Sequence, residues 1–346
     1  MDKRVLIVAT SRKTRGGITS VIKAHEKGAQ WNKYSCHWVQ THRDGPAWRK
    51  ILYFLSGMAD FLVRLPFYDI VHIHTADYGT EKRKRIFARI TKLLRKKLII
   101  HLHSSDPKDS IGGKYRDLYD YSFNHADKIL LLSNEWKKVA SRAFPANISK
   151  MDVLYNPCPS VEKGNPDMKH PYILYAGTVN TRKGYHDLLN AFAMINKSHP
   201  DWTIVFAGNG EIDKGKELAE KLHISHQVKF VGWVAGEDKD RWFSNASAYC
   251  LPSYSEGFPM GVLDAWGYGL PVITTPVGGI PDVAVNGENM LLFAPGDIDG
   301  LSRQLSCIMD SPQVRQALTN ASKKFSEQDF NINTIANKLD LIYSEL

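Results

Sequence analysis

The sequence predicts an α/β protein built from two doubly wound, mostly parallel sheets. Three observations carry that prediction. Short apolar strands alternate with helical stretches through the first half, and the same rhythm restarts at Tyr172. A breaker-rich stretch separates the two series: Asn156-Pro157-Cys158-Pro159-Ser160, then Lys163-Gly164-Asn165-Pro166. At 346 residues the chain also exceeds the usual extent of one hydrophobic core. The expected division is 1–160, 170–325 and a closing helical segment, 326–346, that braces the first domain. Two such sheets facing each other imply a cleft between their strand ends, the usual ligand position in this architecture.

Strands are expected at Val5–Ala9, Ile70–His74, Leu98–His103, Lys128–Ser133 and Met151–Tyr155. Helices fill the gaps at Gly17–Lys27, Trp48–Arg64, Arg83–Lys96, Tyr115–His125 and Glu135–Ala143. In the second series the strands are Tyr172–Ala176, Trp202–Ala207, Val228–Val231, Ala246–Leu251, Pro271–Thr275 and Met290–Phe293. Its helices are Tyr185–Asn196, Gly215–Leu222, Lys239–Ser244, Met260–Tyr268, Ile298–Met309 and Pro312–Phe325. A last helix, Asp329–Leu346, carries Ile332, Ile335, Leu339 and Ile342 on one side.

The net charge of +9 is unevenly spread. Residues 1–160 hold 29 Lys/Arg against 14 Asp/Glu, whereas 161–346 hold 16 against 22. The front half therefore suits an anionic partner: a membrane surface, a lipid-linked phosphate or nucleic acid. No helix-turn-helix, zinc or single-strand module accompanies the charge, so nucleic acid is not expected. Lys82–Lys97 packs nine basic residues into sixteen, with Ile86, Ile90, Leu93 and Leu94 as the apolar stripe expected to face the core. The preceding helix is rich in Trp48, Ile51, Leu52, Phe54, Leu55, Met58, Phe61 and Leu62. A buried packing helix is expected there; an acceptor groove or a bilayer contact is the alternative. The opening Asp2-Lys3-Arg4 is unlike a secretory leader and no run is long enough to span a bilayer, so a cytoplasmic location is expected. Cys36, Cys158, Cys250 and Cys307 are far apart and read as isolated free thiols.

The richest motif is Ser253-Tyr254-Ser255-Glu256-Gly257-Phe258-Pro259-Met260-Gly261-Val262-Leu263-Asp264, between a strand and a helix. Glycines there let backbone N–H groups approach a ligand, and a helix N-terminus attracts phosphate. Glu256 offers a carboxylate to hydroxyls, and Asp264, eight residues on, is expected two turns away on nearly the same face. Gly177-Thr178-Val179-Asn180-Thr181-Arg182-Lys183-Gly184 puts two cations at a strand end, suited to a diphosphate or to a solvated turn. Gly16-Gly17 enters the first helix without the dinucleotide fingerprint or a Walker lysine; a phosphate cradle and a plain turn both fit. His101 and His103 share a strand face, and His72 and His74 repeat the pattern. No acidic ligand accompanies them at metal spacing, so no protein-held metal is expected, and His103 is the histidine placed to meet a substrate.

Together these motifs resemble the retaining glycosyltransferases of GT-B fold, family 4. Glu256 to Asp264 is similar to that family's Glu-x7-Glu element, with Asp in second place. Gly269-Leu270-Pro271-Val272-Ile273, Gly278-Gly279-Ile280-Pro281-Asp282 and Asn286-Gly287-Glu288-Asn289-Met290-Leu291-Leu292 resemble its downstream signature. Asn156, Gly16-Gly17 and Lys183-Gly184 also match. The resemblance implies a nucleotide-sugar donor, most often a uridine diphosphate sugar, and no cofactor. It implies that Glu256 binds sugar hydroxyls, Asp264 the ribose, and His103 the reacting face. Gly17 and the amides of Phe258, Pro259, Met260, Gly261 and Val262 would meet the diphosphate, with Lys183 supplying charge. The base would rest on Val231 and Gly232. Thr178 replaces a common arginine, a charge that Arg182 could supply. The implied activity is sugar transfer to a glycan hydroxyl with retention. The front half suggests a polyprenyl-diphosphate-linked acceptor at the inner membrane face, as in O-antigen or capsule synthesis. A nucleotide-sugar 2-epimerase on the same scaffold is the nearest alternative.

Overall fold

The computed structural model describes residues 3–106, 110–159, 161 and 171–346; the linker positions Lys163, Gly164, Asn165 and Pro166 lie outside the described residues. The chain divides into two compact units, Met1–Pro157 with Ile332–Leu346, and Cys158–Asn331.

The first unit contains β1 (Val5–Ala9), α1 (Gly17–His25), α2 (Ala29–Lys33), β2 (His37–Gln40), α3 (Ala47–Arg64), β3 (Ile70–Thr75), α4 (Tyr78–Leu93), β4 (Lys97–Leu102), α5 (Arg116–His125), β5 (Lys128–Leu131), α6 (Asn134–Ala143) and β6 (Met151–Val153). These strands form one parallel sheet in the order β2-β1-β3-β4-β5-β6. The second contains β7 (Tyr172–Ala176), α7 (Tyr185–Ile195), β8 (Thr203–Ala207), α8 (Ile212–Lys221), β9 (Val228–Phe230), α9 (Glu237–Ser244), β10 (Ala248–Leu251), α10 (Met260–Gly267), β11 (Val272–Thr274), β12 (Leu291–Leu292), α11 (Ile298–Asp310) and α12 (Pro312–Lys324). Its sheet is also parallel, in the order β12-β11-β10-β7-β8-β9. The last helix, α13 (Ile332–Glu345), returns to the first unit.

Alternation along β-branched strands builds two core layers in the first unit. Leu98, Ile100 and Leu102 of β4 join Leu6, Val8, Val71 and Ile73 on one face. Ile99 joins Val5, Ile7 and Ile70 on the other, where Ile335, Leu339, Ile342 and Tyr343 of α13 complete the layer. The Tyr34 hydroxyl bonds the Asp340 carboxylate at 2.8 Å, fixing α13 further. The chain enters and leaves the second unit at one place, where the Cys158 amide donates to the Phe330 carbonyl at 2.8 Å.

Four sequence expectations fail for identifiable reasons. The edge strand β2 and the short helix α2 escape prediction, because His37-Trp38-Val39-Gln40 has only two apolar residues and α2 is little more than one turn. α4 begins five residues earlier than expected, capped at Asp77. Its buried face is Glu81, Lys84, Phe87, Ala88 and Thr91, while Ile86, Leu93 and Leu94 are exposed. Polar residues at core positions hide the true stripe from a hydrophobicity pattern. α3 is not a buried helix. Phe61 and Gly57 are buried, with Phe54 and Met58 partly so, but Trp48, Ile51, Leu52, Leu55, Leu62 and Val63 are exposed. No helix among the described residues is long and apolar enough to cross a membrane.

Leu339→Ala removes a fully buried side chain from the α13 layer. It should destabilise the first unit by about 2–5 kcal/mol. Urea unfolding followed by a probe in that unit measures this, and an unchanged midpoint would contradict the packing.

Candidate functional site

The geometry of the second unit converges on Glu256. After β7 the chain makes a tight turn through Thr181–Lys183, capped by the Asn180 side chain accepting the Lys183 amide at 3.0 Å. Gly184 ends the turn at φ +68°, and a Cβ there would lie 2.0 Å from the Pro252 carbonyl oxygen. Only glycine allows this turn to press against the end of β10. The Tyr254 amide and the Ser253 hydroxyl then donate to the Arg182 carbonyl, at 2.8 and 3.3 Å, joining the two strand-end loops.

Within this frame Lys183 Nζ donates to Glu256 Oε1 at 2.8 Å, and the Ser253 hydroxyl donates to the same oxygen at 2.7 Å. Arg182 Nη1 stands 3.4 Å from it while also bonding the Ser255 carbonyl. Glu256 is buried. Burial alone would raise its pKa, but Lys183, Arg182 and Ser253 outweigh that and hold the carboxyl below its ordinary range. From behind, Gly278 at φ +62° brings the chain so close that a Cβ would be 2.3 Å from the Glu256 carbonyl oxygen. The Gly279 amide donates to the Gly257 carbonyl at 2.7 Å. Ser253 and the Gly278-Gly279 support are absent from the sequence-based site set, although the glycines stood in the motif.

Asp264 is held separately. Its carboxylate meets Lys239 Nζ at 2.7 Å, and burial raises its pKa against that opposing charge. α10 starts at Met260, as expected, with Pro259 as its cap, and Asp264 lies inside it. Glu256 therefore lies in the loop, outside the helical repeat. Of the amides expected to face phosphate, Pro259 has none, and that of Val262 donates to the Pro259 carbonyl at 3.0 Å. Met260 and Gly261 remain in the first turn, where helix geometry supplies no backbone acceptor. The Phe258 ring packs 5.2 Å from Phe330 and serves the core. Thr178 is exposed, its carbonyl accepting from the Tyr175 hydroxyl. Val231 and Gly232 follow β9; a Cβ at Gly232 would meet only open space.

Gly16, Gly17 and His103 belong to the first unit. Gly16 caps α1, and both glycines are exposed. His103 lies one residue beyond β4, its amide donating to the Thr75 carbonyl at 2.7 Å. Its Nε2 is 2.9 Å from His74 Nδ1. Burial, with some help from His25, lowers its pKa to about 3, so the ring is neutral. Ligand atoms of His72, His74 and His101 lie within 4.8 Å of one another. The His72 ring, however, stacks within 22° of the His74 plane and 19° of the His101 plane. Lone pairs of parallel stacked rings do not meet at one tetrahedral point.

Residues 160–325 match the family described as Glycosyl transferases group 1. The glycogen synthase of Mycobacterium tuberculosis is 24% identical over 246 residues, covering 70% of this chain and 59% of that protein. The O-antigen chain mannosyltransferase B of Escherichia coli is 27% identical over 47% of this chain and 44% of its own. The Anabaena HepE structure, in complex with UDP-glucose, superposes with a TM-score of 0.81 at 19% identity, over 99% of this chain and all of that one. The fold is thus that of a GT-B protein. The second unit carries the match to the group 1 glycosyltransferases, which covers just under half of the chain. The chain spans about three fifths of the length of the first curated relatives it matches.

Gly184→Ala should cost at least 1–3 kcal/mol, roughly the cost of a forced left-handed residue, and move Lys183 away from Glu256. Denaturant unfolding and a crystal structure of the variant check both; wild-type stability would refute the packing of this turn on β10.

Proposed function

We propose that this protein transfers a sugar from a uridine diphosphate sugar to a hydroxyl of a glycan acceptor, keeping the anomeric configuration. The observation that carries the reading is Glu256 held by Lys183, Arg182 and Ser253 beside the first turn of α10. Glu256 orients the donor sugar by accepting from its hydroxyls, and Asp264 accepts from the ribose. Lys183 and Arg182, with the Met260 and Gly261 amides, draw off charge as the bond from the anomeric carbon to the β-phosphate oxygen breaks. The acceptor oxygen bonds that carbon from the departing side, and its proton passes to a phosphate oxygen. Glu256, already engaged by two cations, binds the sugar and does not attack it. His103, neutral, serves through hydrogen bonding without delivering charge.

The acceptor is a polyprenyl-diphosphate-linked saccharide at the inner membrane face, in assembly of a bacterial surface polysaccharide. The basic first unit and the likeness to an O-antigen mannosyltransferase support this reading. The protein attaches to that membrane peripherally and holds no metal for the transfer.

Glu256→Gln and Lys183→Ala should each lower transfer about 10²–10³-fold, the scale for losing one charge-stabilising contact, with unchanged circular dichroism. Mass spectrometry of products from a panel of nucleotide sugars and lipid-linked acceptors reads the rate. Near-wild-type transfer by both variants, or donor conversion without any acceptor, would overturn the proposal.

Retention on anionic liposomes should fall steeply between low salt and about 0.5 M salt, where the screening length drops below about 5 Å. Flotation measures this. A protein that stays unbound at low salt would remove the membrane part of the reading.

A further inference from the structure

Lys84 poses an electrostatic problem that the proposed transfer leaves unused. It lies on the buried face of α4, 2% exposed, and its Nζ donates to the Thr41 hydroxyl at 2.7 Å. Among the described residues it pairs with no carboxylate. Glu81, one turn earlier, is nearest in sequence, but its oxygens are taken by the Thr75 and Ser122 hydroxyls. A buried ammonium without a counter-ion is costly and loses its proton readily; burial and Arg83 push its pKa well down, against the pull of Glu81.

Other cations gather around the same strand ends. Thr41, His42 and Arg43 follow β2, Lys13 lies in the loop after β1, and Arg83 and Lys84 lie early in the helix after β3. β2, β1 and β3 are neighbours in the sheet, so these loops open on one carboxyl edge, where doubly wound sheets bind ligands. Arg43 Nη1 is 3.4 Å from the Tyr53 hydroxyl, and its guanidinium lies 5.8 Å from that ring. Lys13 and Arg43 both act on Tyr53, while Arg83 and Lys50 both act on His42. None of Lys13, Arg43, Lys50 and Arg83 forms an ion pair among the described residues. The acidic group beside His42 is Asp44, exposed and 3.6 Å away.

An apolar surface starts at the same place. α3 begins at Ala47, and its exposed Trp48, Ile51, Leu52, Leu55, Leu62 and Val63 run for about 22 Å along the helix. Cations at one end and bare hydrocarbon along the rest match an amphiphile with an anionic head and a long apolar tail.

We propose that these cations form a pocket that receives the diphosphate of the lipid-linked acceptor, with Lys84, Arg43 and Arg83 as its ligands and the isoprenoid tail lying along α3. The assignment rests on the proposed transfer for the acceptor's identity, but the binding can be measured without turnover. Full-length protein is titrated with geranylgeranyl diphosphate, geranylgeraniol and inorganic pyrophosphate, and with UDP as a control for the second unit.

Geranylgeranyl diphosphate should bind at least tenfold more tightly than either fragment. Arg43→Ala/Arg83→Ala, which alters only partly exposed residues, should weaken it at least tenfold, and Lys84→Met should do the same. Ile51→Ser/Leu55→Ser should weaken the lipid several-fold and leave pyrophosphate unchanged. UDP affinity should stay constant in all of them. Equal binding of lipid by wild type and the cation variants would overturn the site. Pyrophosphate as tight as the lipid would overturn the tail's place on α3. If the lipid binds as described and no nucleotide sugar is turned over, the failure lies with the proposed transfer and not with this pocket.

Discussion

A carboxylate removed from water must be answered by positive charge, and Glu256 shows how much of a fold that single demand can organise. Its partners come from the loop after β7, and its own loop follows β10, the neighbouring strand. The pair therefore ties adjacent strand ends across the sheet. Glycine is required at 184 because the loop after β7 presses on the backbone at the end of β10, and at 278 because the loop after β11 presses on the backbone of the Glu256 loop. The cations are thus set in place before any ligand arrives. Charge fixed in this way needs no reorganisation when a ligand binds, unlike the mobile side chains of a merely basic surface.

The first unit uses charge differently. Its excess of lysine and arginine is largely solvated, but not wholly. Buried Lys84, neutral His103 and the stacked histidines place nitrogen chemistry inside an otherwise apolar sheet. Desolvation keeps these imidazoles uncharged, so they pack as aromatic plates. Tyr343 on α13 reaches His72 Nδ1 at 2.8 Å, so the closing helix bonds directly to that stack.

Much of this was legible in the sequence. Strands such as Val5–Ala9 and Tyr172–Ala176 are continuous apolar runs, which parallel sheets covered on both faces require. Lys183 and Glu256 could be named because strand-end loops with glycine and charge have few other uses. Their direct pairing could not be named, since residues 73 apart meet only through sheet order. The α4 stripe was misread in part: Ile90 packs on the core as expected, but Glu81, Lys84 and Thr91 occupy inward positions while Ile86, Leu93 and Leu94 face outward. The start of α10 at Met260 was legible because Pro259 marks a helix boundary, which leaves Glu256 in the loop before it. Exposure of α3 was beyond periodicity, because both of its sides are apolar.

The hydrogen bond from the Cys158 amide to the Phe330 carbonyl has an evolutionary corollary. Both strands of polypeptide serving residues 158–331 pass through one stapled gateway, so that block is topologically an insert within a host whose two pieces reassemble around it. Inserts with neighbouring termini can be exchanged between hosts without rethreading either core. Recombination at this gateway could exchange the whole second unit while leaving the first unit's core intact, in one crossover event at each side of the staple.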